Sequence, residues 1–218
     1  MRTPMMATLL VTPFLLTPVD LLAEESKGGD GDDGVVDVPP PLPSDPIVLA
    51  LDQAPICGVE GSELPDWKQV FNGIPAELLV LAIEDGTVGR PHLSHAIEAL
   101  AAIGSVAELE YVLSGSEDIS WAYLADAAYE GDSDEEVLRV QAQLAAKIRA
   151  EMLWSWAKRG DLPDDLLIKA LWDAQPLVSR RAVALALSSS DESVRNEALD
   201  VCGVNDAVKA EAHLCPGS

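Results

Sequence analysis

Ala96-Ile97-Glu98-Ala99-Leu100-Ala101-Ala102-Ile103-Gly104-Ser105-Val106-Ala107-Glu108-Leu109-Glu110-Tyr111-Val112-Leu113 reads as the end of one amphipathic helix, a tight turn and a second helix. Leu93, Ile97, Leu100 and Ile103 recur at helical spacing, and Gly104 is expected to take the left-handed conformation that ends such a helix. Ser105 with Glu108 three residues on forms a capping box, so the next helix starts at once. Two helices joined by so little chain are expected to lie antiparallel and bury one common face. This hairpin is the unit that the rest of the chain is expected to repeat.

Outward from that stretch, helix punctuation continues in both directions. Toward the C-terminus, Ser116 is expected to cap a helix running through Trp121, Leu124 and Ala125 to Gly131. Ser133 with Glu136 starts the longest pattern, which stops at Lys158-Arg159-Gly160. Pro163 opens a helix to about Ala174, Pro176 one to about Leu187, and Asp191 one to Gly203, with a weaker helix from Asp206. Toward the N-terminus, Pro75 opens a segment, 76–83, that is apolar nearly all round and is expected to sit between layers. Pro65 is expected at the first position of a short helix containing Trp67. Residues 47–51 fit a strand or a helical turn equally well.

The 218 residues include 48% hydrophobic side chains but only 5% aromatics. An apolar set dominated by Ala and Leu suits close helix packing better than an aromatic β core. Fourteen basic against 37 acidic residues give a formal charge of −23, a field that repels phosphate backbones and argues against nucleic-acid binding.

Residues 1–23 read as a signal peptide: Arg2, an apolar run over 5–16, and Leu21-Leu22-Ala23 as a cleavage site. Pro13, Pro18 and Asp20 depart from the ideal pattern, and an apolar helix docked on the domain is the competing reading. The run is too short and interrupted for a transmembrane anchor. Residues 24–46, acidic and then Pro-rich, read as a disordered linker, leaving 47–218 as the folded domain. Asp30-Gly31-Asp32-Asp33-Gly34 has the flavour of a calcium loop, yet its glycine falls one place early and no Glu closes it. The expected location is therefore periplasmic or extracellular. Of the three cysteines, Cys202 and Cys215 are near enough in sequence to clip the tail to the last helix, with Cys57 left over; buried free thiols are the alternative.

Several helices share an aliphatic residue, an Arg, and an Ala four places after the aliphatic. Leu138-Arg139 with Ala142 and Ala145 fits, as does Val194-Arg195 with Ala198 and Val201. Val178 with Ala182 and Leu185 fits with the basic residue moved to Arg180. Positions i, i+4 and i+7 make one stripe, the small Ala lets another helix approach, and the Arg stem can lie over apolar surface toward an adjacent helix end. On these residues the chain resembles the HEAT-repeat family of α-solenoids. Asp191-Glu192-Ser193-Val194-Arg195-Asn196-Glu197-Ala198-Leu199 is similar to the second helix of such a repeat. Ala99 to Gly104, echoed by Ala198 to Gly203, is similar to the junction between repeats. The resemblance covers about 75–210, and the long helix from Ser133 departs from the family's helix length. It implies an all-α fold of antiparallel hairpins stacked as a short, irregular solenoid; an ordinary helical bundle is the competing architecture.

For function the resemblance implies a non-enzymatic scaffold that binds a protein partner. In the helix from Ser133, Val137, Val140, Leu144, Ile148, Met152 and Trp156 form one stripe. Trp154 lies off it, beside Lys147, Glu151 and Lys158. In the next helix Trp172 falls beside Asp165 and Lys169. Trp154 and Trp172 are thus the candidate partner anchors, since Trp is enriched at binding hot spots; packing between repeats is the competing role. His92, His95 and Glu98, three apart along one helix, are the candidate metal ligands of an alternative metal-dependent enzyme. The chain has no His-Glu dipeptide, Gly-x-Ser-x-Gly, His-Glu-x-x-His, Cys-x-x-Cys or phosphate-cradling glycine loop, so no cofactor is expected. A structural subunit of an envelope assembly is the third reading.

Overall fold

The computed structural model describes residues 45–52, 65–126, 133–209 and 214–215, all within the unit Pro41–Ser218. The signal-peptide and calcium-loop readings, nearly all of the linker, Cys57 and the chain from 127 to Gly131 lie outside the described residues. Among those described, every regular element is a helix: α1 (Pro46–Asp52), α2 (Trp67–Val70), α3 (Ala76–Glu84), α4 (Gly89–Ile103), α5 (Val106–Ser114), α6 (Ser116–Asp126), α7 (Asp134–Arg159), α8 (Asp164–Leu171), α9 (Pro176–Leu187), α10 (Glu192–Val204) and α11 (Asp206–Lys209). No helix among them is long and apolar enough to cross a membrane.

The 26-residue α7 is the hub. It starts at Ser133, whose Oγ accepts from the Glu136 N–H, while the Glu136 carboxylate pairs with Arg139. It stops at Gly160, whose φ of 93° is the left-handed turn that ends a helix without a Cβ clash. Two faces of α7 are buried. Ile148, Met152 and Trp156 enter a core shared with α1 to α6. Ala146, Ala150 and Leu153 enter a second core with α8 to α11. A helix hydrophobic on two sides must be covered on both, and α7 packs on α4, α5 and α6 as well as α9. Val137 and Val140, the first part of the expected stripe, are only half-buried.

The junction after α4 departs from expectation. Gly104 is extended, with φ −74° and ψ 159°, and Ser105 follows with ψ 162°. The capping box is made: Ser105 N–H donates to Glu108 Oε2 at 2.5 Å and Glu108 N–H donates to Ser105 Oγ at 3.4 Å. An N-cap residue needs extended backbone, and two extended residues in a row carry the chain sideways instead of reversing it. Accordingly α5 packs mainly on α7, α3 and α6 rather than back along α4. Glycine is needed at 104 for space, because a Cβ there would sit 2.7 Å from the Leu100 carbonyl oxygen.

Arg159 holds this junction from the far end of α7. Its Nη1 donates to the carbonyls of Gly104 (2.6 Å) and Ala101 (3.1 Å), supplying donors that the last turn of α4 lacks. Its Nε and Nη2 grip both oxygens of Asp161, which also accepts from Trp156 Nε1 at 3.0 Å. The hydrogen bonds from Arg159 hold the Asp161 carboxyl below its ordinary value of 3.8, outweighing its partial desolvation. A group depressed in this way adds stability above its unfolded value and loses it as pH falls through its folded one. The stability difference between wild type and Asp161→Asn should therefore be constant above about pH 5 and shrink toward zero as pH falls below 3.8. Urea midpoints measured from pH 6 to pH 2 check this, and a difference that persists unchanged at pH 2 contradicts it.

Other departures have local causes. Asp66, not Pro65, borders α2, because its carboxylate accepts from the Lys68 and Gln69 amides. Residues 47–51 belong to a helix, α1, which begins at Pro46. In α3, Leu79, Val80, Ala82 and Ile83 are buried but Leu78 and Leu81 are exposed, so this helix does not lie between layers. Ser116 is no cap: the Gly115 carbonyl accepts the first α6 bond from Ile119, and Ser116 is buried inside the first turn. The residue after Leu138 pairs with Glu136 and Leu138 itself is 56% exposed, so the repeat pattern at that point lies on a surface. In α9 and α10 the pattern is buried at Val178, Ala182, Val194, Ala198 and Val201 and half-buried at Leu185. Arg195 donates to the Ser189 carbonyl just past α9, and Arg180 to the Ala207 carbonyl of α11.

Cys202 of α10 is disulfide-bonded to Cys215, whose side chain is buried in the second core. Closing a loop of that size should stabilise the fold by about 3 kcal/mol in the chain-entropy model. Reduction, or the double substitution Cys202→Ser/Cys215→Ser, is expected to lower the urea midpoint accordingly. An unchanged midpoint would mean that this clip bears no load.

Candidate functional site

A groove of about 1050 Å³ lies among the described residues. The α7 residues Ala142, Ala145, Arg149 and Leu153 form its floor, spaced three and four apart on one helix face. Leu113 of α5 and Ser116 and Glu117 of α6 belong to one wall, with Glu110 and Tyr111 at the rim. Leu166, Lys169 and Ala170 of α8 and the turn from Trp172 into α9 form the other. Alanines on the floor keep α7 from filling the space, and the sideways exit of the chain at Gly104 sets α5 along this edge.

Arg149 stands in the middle of the groove. Its Nε and Nη2 bind the two oxygens of Asp173 at 3.0 and 3.2 Å, and its Nη1 donates to Ser116 Oγ at 3.0 Å. The side chains of the pair are only 17% and 18% exposed. Bidentate geometry and a third hydrogen bond are what a guanidinium needs when taken out of water. Asp173 is positioned by the end of α8, which stops at Leu171 rather than near Ala174. The Trp172 and Asp173 amides bond back to Lys169 and Ala170, and Asp173 Oδ1 accepts from the Gln175 amide just before Pro176. One carboxylate thus closes a turn and neutralises the floor arginine.

At the rims, two aromatic rings are anchored by carboxylates outside the groove. Tyr111 donates its hydroxyl to Glu84 Oε1 at 2.7 Å, and that bond raises the phenol above its ordinary value. Trp172 donates Nε1 to Glu197 Oε1 at 2.8 Å and keeps 53% of its surface exposed. Each ring is fixed at its polar end and open to solvent along its apolar body, the arrangement that suits aromatic contact residues.

Trp154 lies elsewhere. It is absent from the groove lining and is 36% exposed. The Arg181 guanidinium stands 4.6 Å and the Lys158 ammonium 5.4 Å from its ring centroid. The two candidate anchors are therefore not brought together. The candidate metal ligands do not converge either. His92 pairs with Asp52 at 3.3 Å, the His95 ring packs 5.9 Å from Trp67, and Glu98 Oε2 is buried without a hydrogen-bond partner. Among the described residues no three His, Cys, Asp or Glu side chains form a set that could hold a metal ion.

Arg149 and Asp173 were not singled out by sequence reading, and Ser116 was read only as a helix cap. The one available signal was an arginine sharing the 142, 145, 149, 153 spacing with alanines and a leucine, where a charge needs a partner. The chain matches no protein-family model, no curated protein and no solved structure.

Proposed function

We propose that this chain is a non-enzymatic protein-interaction scaffold that holds a segment of a partner protein in the groove over α7. The observation that carries the reading is the groove itself: floored by Ala142, Ala145, Leu153 and a neutralised Arg149, and rimmed by aromatic rings fixed at their polar ends. A volume at the top of the range for small-molecule pockets, between helical walls, suits a peptide segment. The wider architecture belongs to the same proposal: helices stacked as a short, irregular HEAT-like α-solenoid, exported to the periplasm or the extracellular space and tethered by the acidic linker. The buried Val178–Ala182 and Val194–Ala198 stripes, with Arg180 and Arg195 reaching adjacent helix ends, support the repeat reading.

The test is affinity capture from the native extract, with the captured protein identified and then titrated in pure form. Trp172→Ala is expected to weaken it by roughly 2 kcal/mol, about thirtyfold, as loss of a hot-spot Trp does. Ala142→Arg, which blocks the floor, is expected to abolish binding, and Trp154→Ala to leave it unchanged. Binding that survives Ala142→Arg but falls with Trp154→Ala would place the interface on the other face and end the groove reading.

A further inference from the structure

We infer that the segment taken by the groove is a cationic amphipathic helix, its apolar face on the α7 floor and its Lys or Arg side chains toward the α5–α6 wall. This deepens the groove reading and rests on it. Arg149, the cation of the floor, is neutralised by Asp173 and bonded to Ser116, so it offers nothing to an incoming anion. On the α5–α6 side, Glu110 and Glu117 are exposed, line the groove and have no ion-pair partner among the described residues. Glu84 stands behind Tyr111 on the same side, its Oε1 accepting from the phenol hydroxyl. Lys169 is the one cation on the α8 wall among the described residues, next to the exposed Trp172. A segment with cations along one flank therefore meets complementary charge on the α5–α6 side, while its apolar face covers Ala142, Ala145 and Leu153. The chain's net charge of −23 adds long-range attraction for the same sign of partner. Helical walls on both sides favour a helix laid into the groove over an added strand, because no sheet edge stands among the described residues.

The experiment uses two labelled peptides of about 15 residues with the same Leu pattern at helical spacing, long enough for partial helicity. One carries Lys and the other Glu at every polar position. Fluorescence anisotropy is read against the whole chain and three variants: Glu110→Lys/Glu117→Lys, Lys169→Glu and Ala142→Arg. The Lys peptide should bind, weaken with added salt, lose roughly tenfold in affinity to the double reversal, and gain a few fold from Lys169→Glu. Ala142→Arg should abolish its binding. Glu110 and Glu117 are exposed, so their reversal leaves the fold intact, which a thermal melt verifies.

If the Lys peptide binds but ignores the double reversal, the attraction is to net charge alone and the inference is overturned. If the Glu peptide binds as well or better and Ala142→Arg removes it, the groove stands and the charge assignment falls. If neither peptide binds, the groove reading falls with it.

Discussion

Replacing Trp156 with Ala is expected to destabilise the chain by about 3–5 kcal/mol, the largest effect of any single tryptophan. Trp156 is fully buried in the core that α7 shares with α1 to α6. Its loss leaves a large cavity against Ile148 and Met152 and removes the Nε1 bond that helps hold Asp161 under Arg159. The C-terminal end of α4 is tied through that arginine, so the damage spreads to the Gly104 junction. For a domain of this size the midpoint should drop by on the order of 10 °C or more. Trp172→Ala, removing a half-exposed ring, should move it by no more than about 1 °C per few tenths of a kcal/mol lost. Similar midpoints for the two variants would contradict the placement of the core.

The second large effect concerns Arg149. Truncation to Ala leaves the largely buried Asp173 carboxylate with its main partner gone, and leaves Ser116 Oγ without its donor. Breaking a buried pair costs about 3–5 kcal/mol, and because the side chains keep some exposure the loss here should fall just below that range, at about 2–3 kcal/mol. The companion variant, Arg149→Met with Asp173→Leu, should recover most of that loss, since no charge is left stranded. A four-point mutant cycle measures the coupling. A neutral Arg149→Ala, or a double variant as unstable as the single one, would mean that the pair is hydrated and that the floor of the groove is differently built.

How much of this was legible in the sequence depends on how far apart the interacting residues are. The limits of α7 were readable because Ser133, the acidic first turn, Lys158-Arg159 and Gly160 act locally. Its Ile148–Met152–Trp156 face was readable too, because bulky side chains carry the periodic signal. Its second buried face was not: Ala146 and Ala150 are too small to announce a core, and only the helices packed on them show that it is one. Gly104 was misread for a related reason. A glycine after a helix fits both a left-handed and an extended stop. The choice is made by the N-cap that Ser105 must supply and by Arg159, which lies 55 residues further on. The groove was least legible of all. Arg149 meets Ser116 and Asp173 across separations of 33 and 24 residues, which no local pattern reports. Helical phase put Trp172 on a polar side of a helix to about Ala174, but α8 stops at Leu171 and the exposed Trp172 follows it; phase also does not tell a groove rim from a surface stacked with cations, which is where Trp154 lies.

The central claim is that a partner segment sits over the α7 floor between the α5–α6 and α8 walls. Hydrogen-exchange footprinting of the chain with its purified partner tests this most directly. Binding should slow exchange in α5, in the first turn of α6 and in the Lys169–Gln175 stretch, with no change around Trp154 and Arg181. Protection centred on Trp154, or spread evenly over the helices, would contradict it.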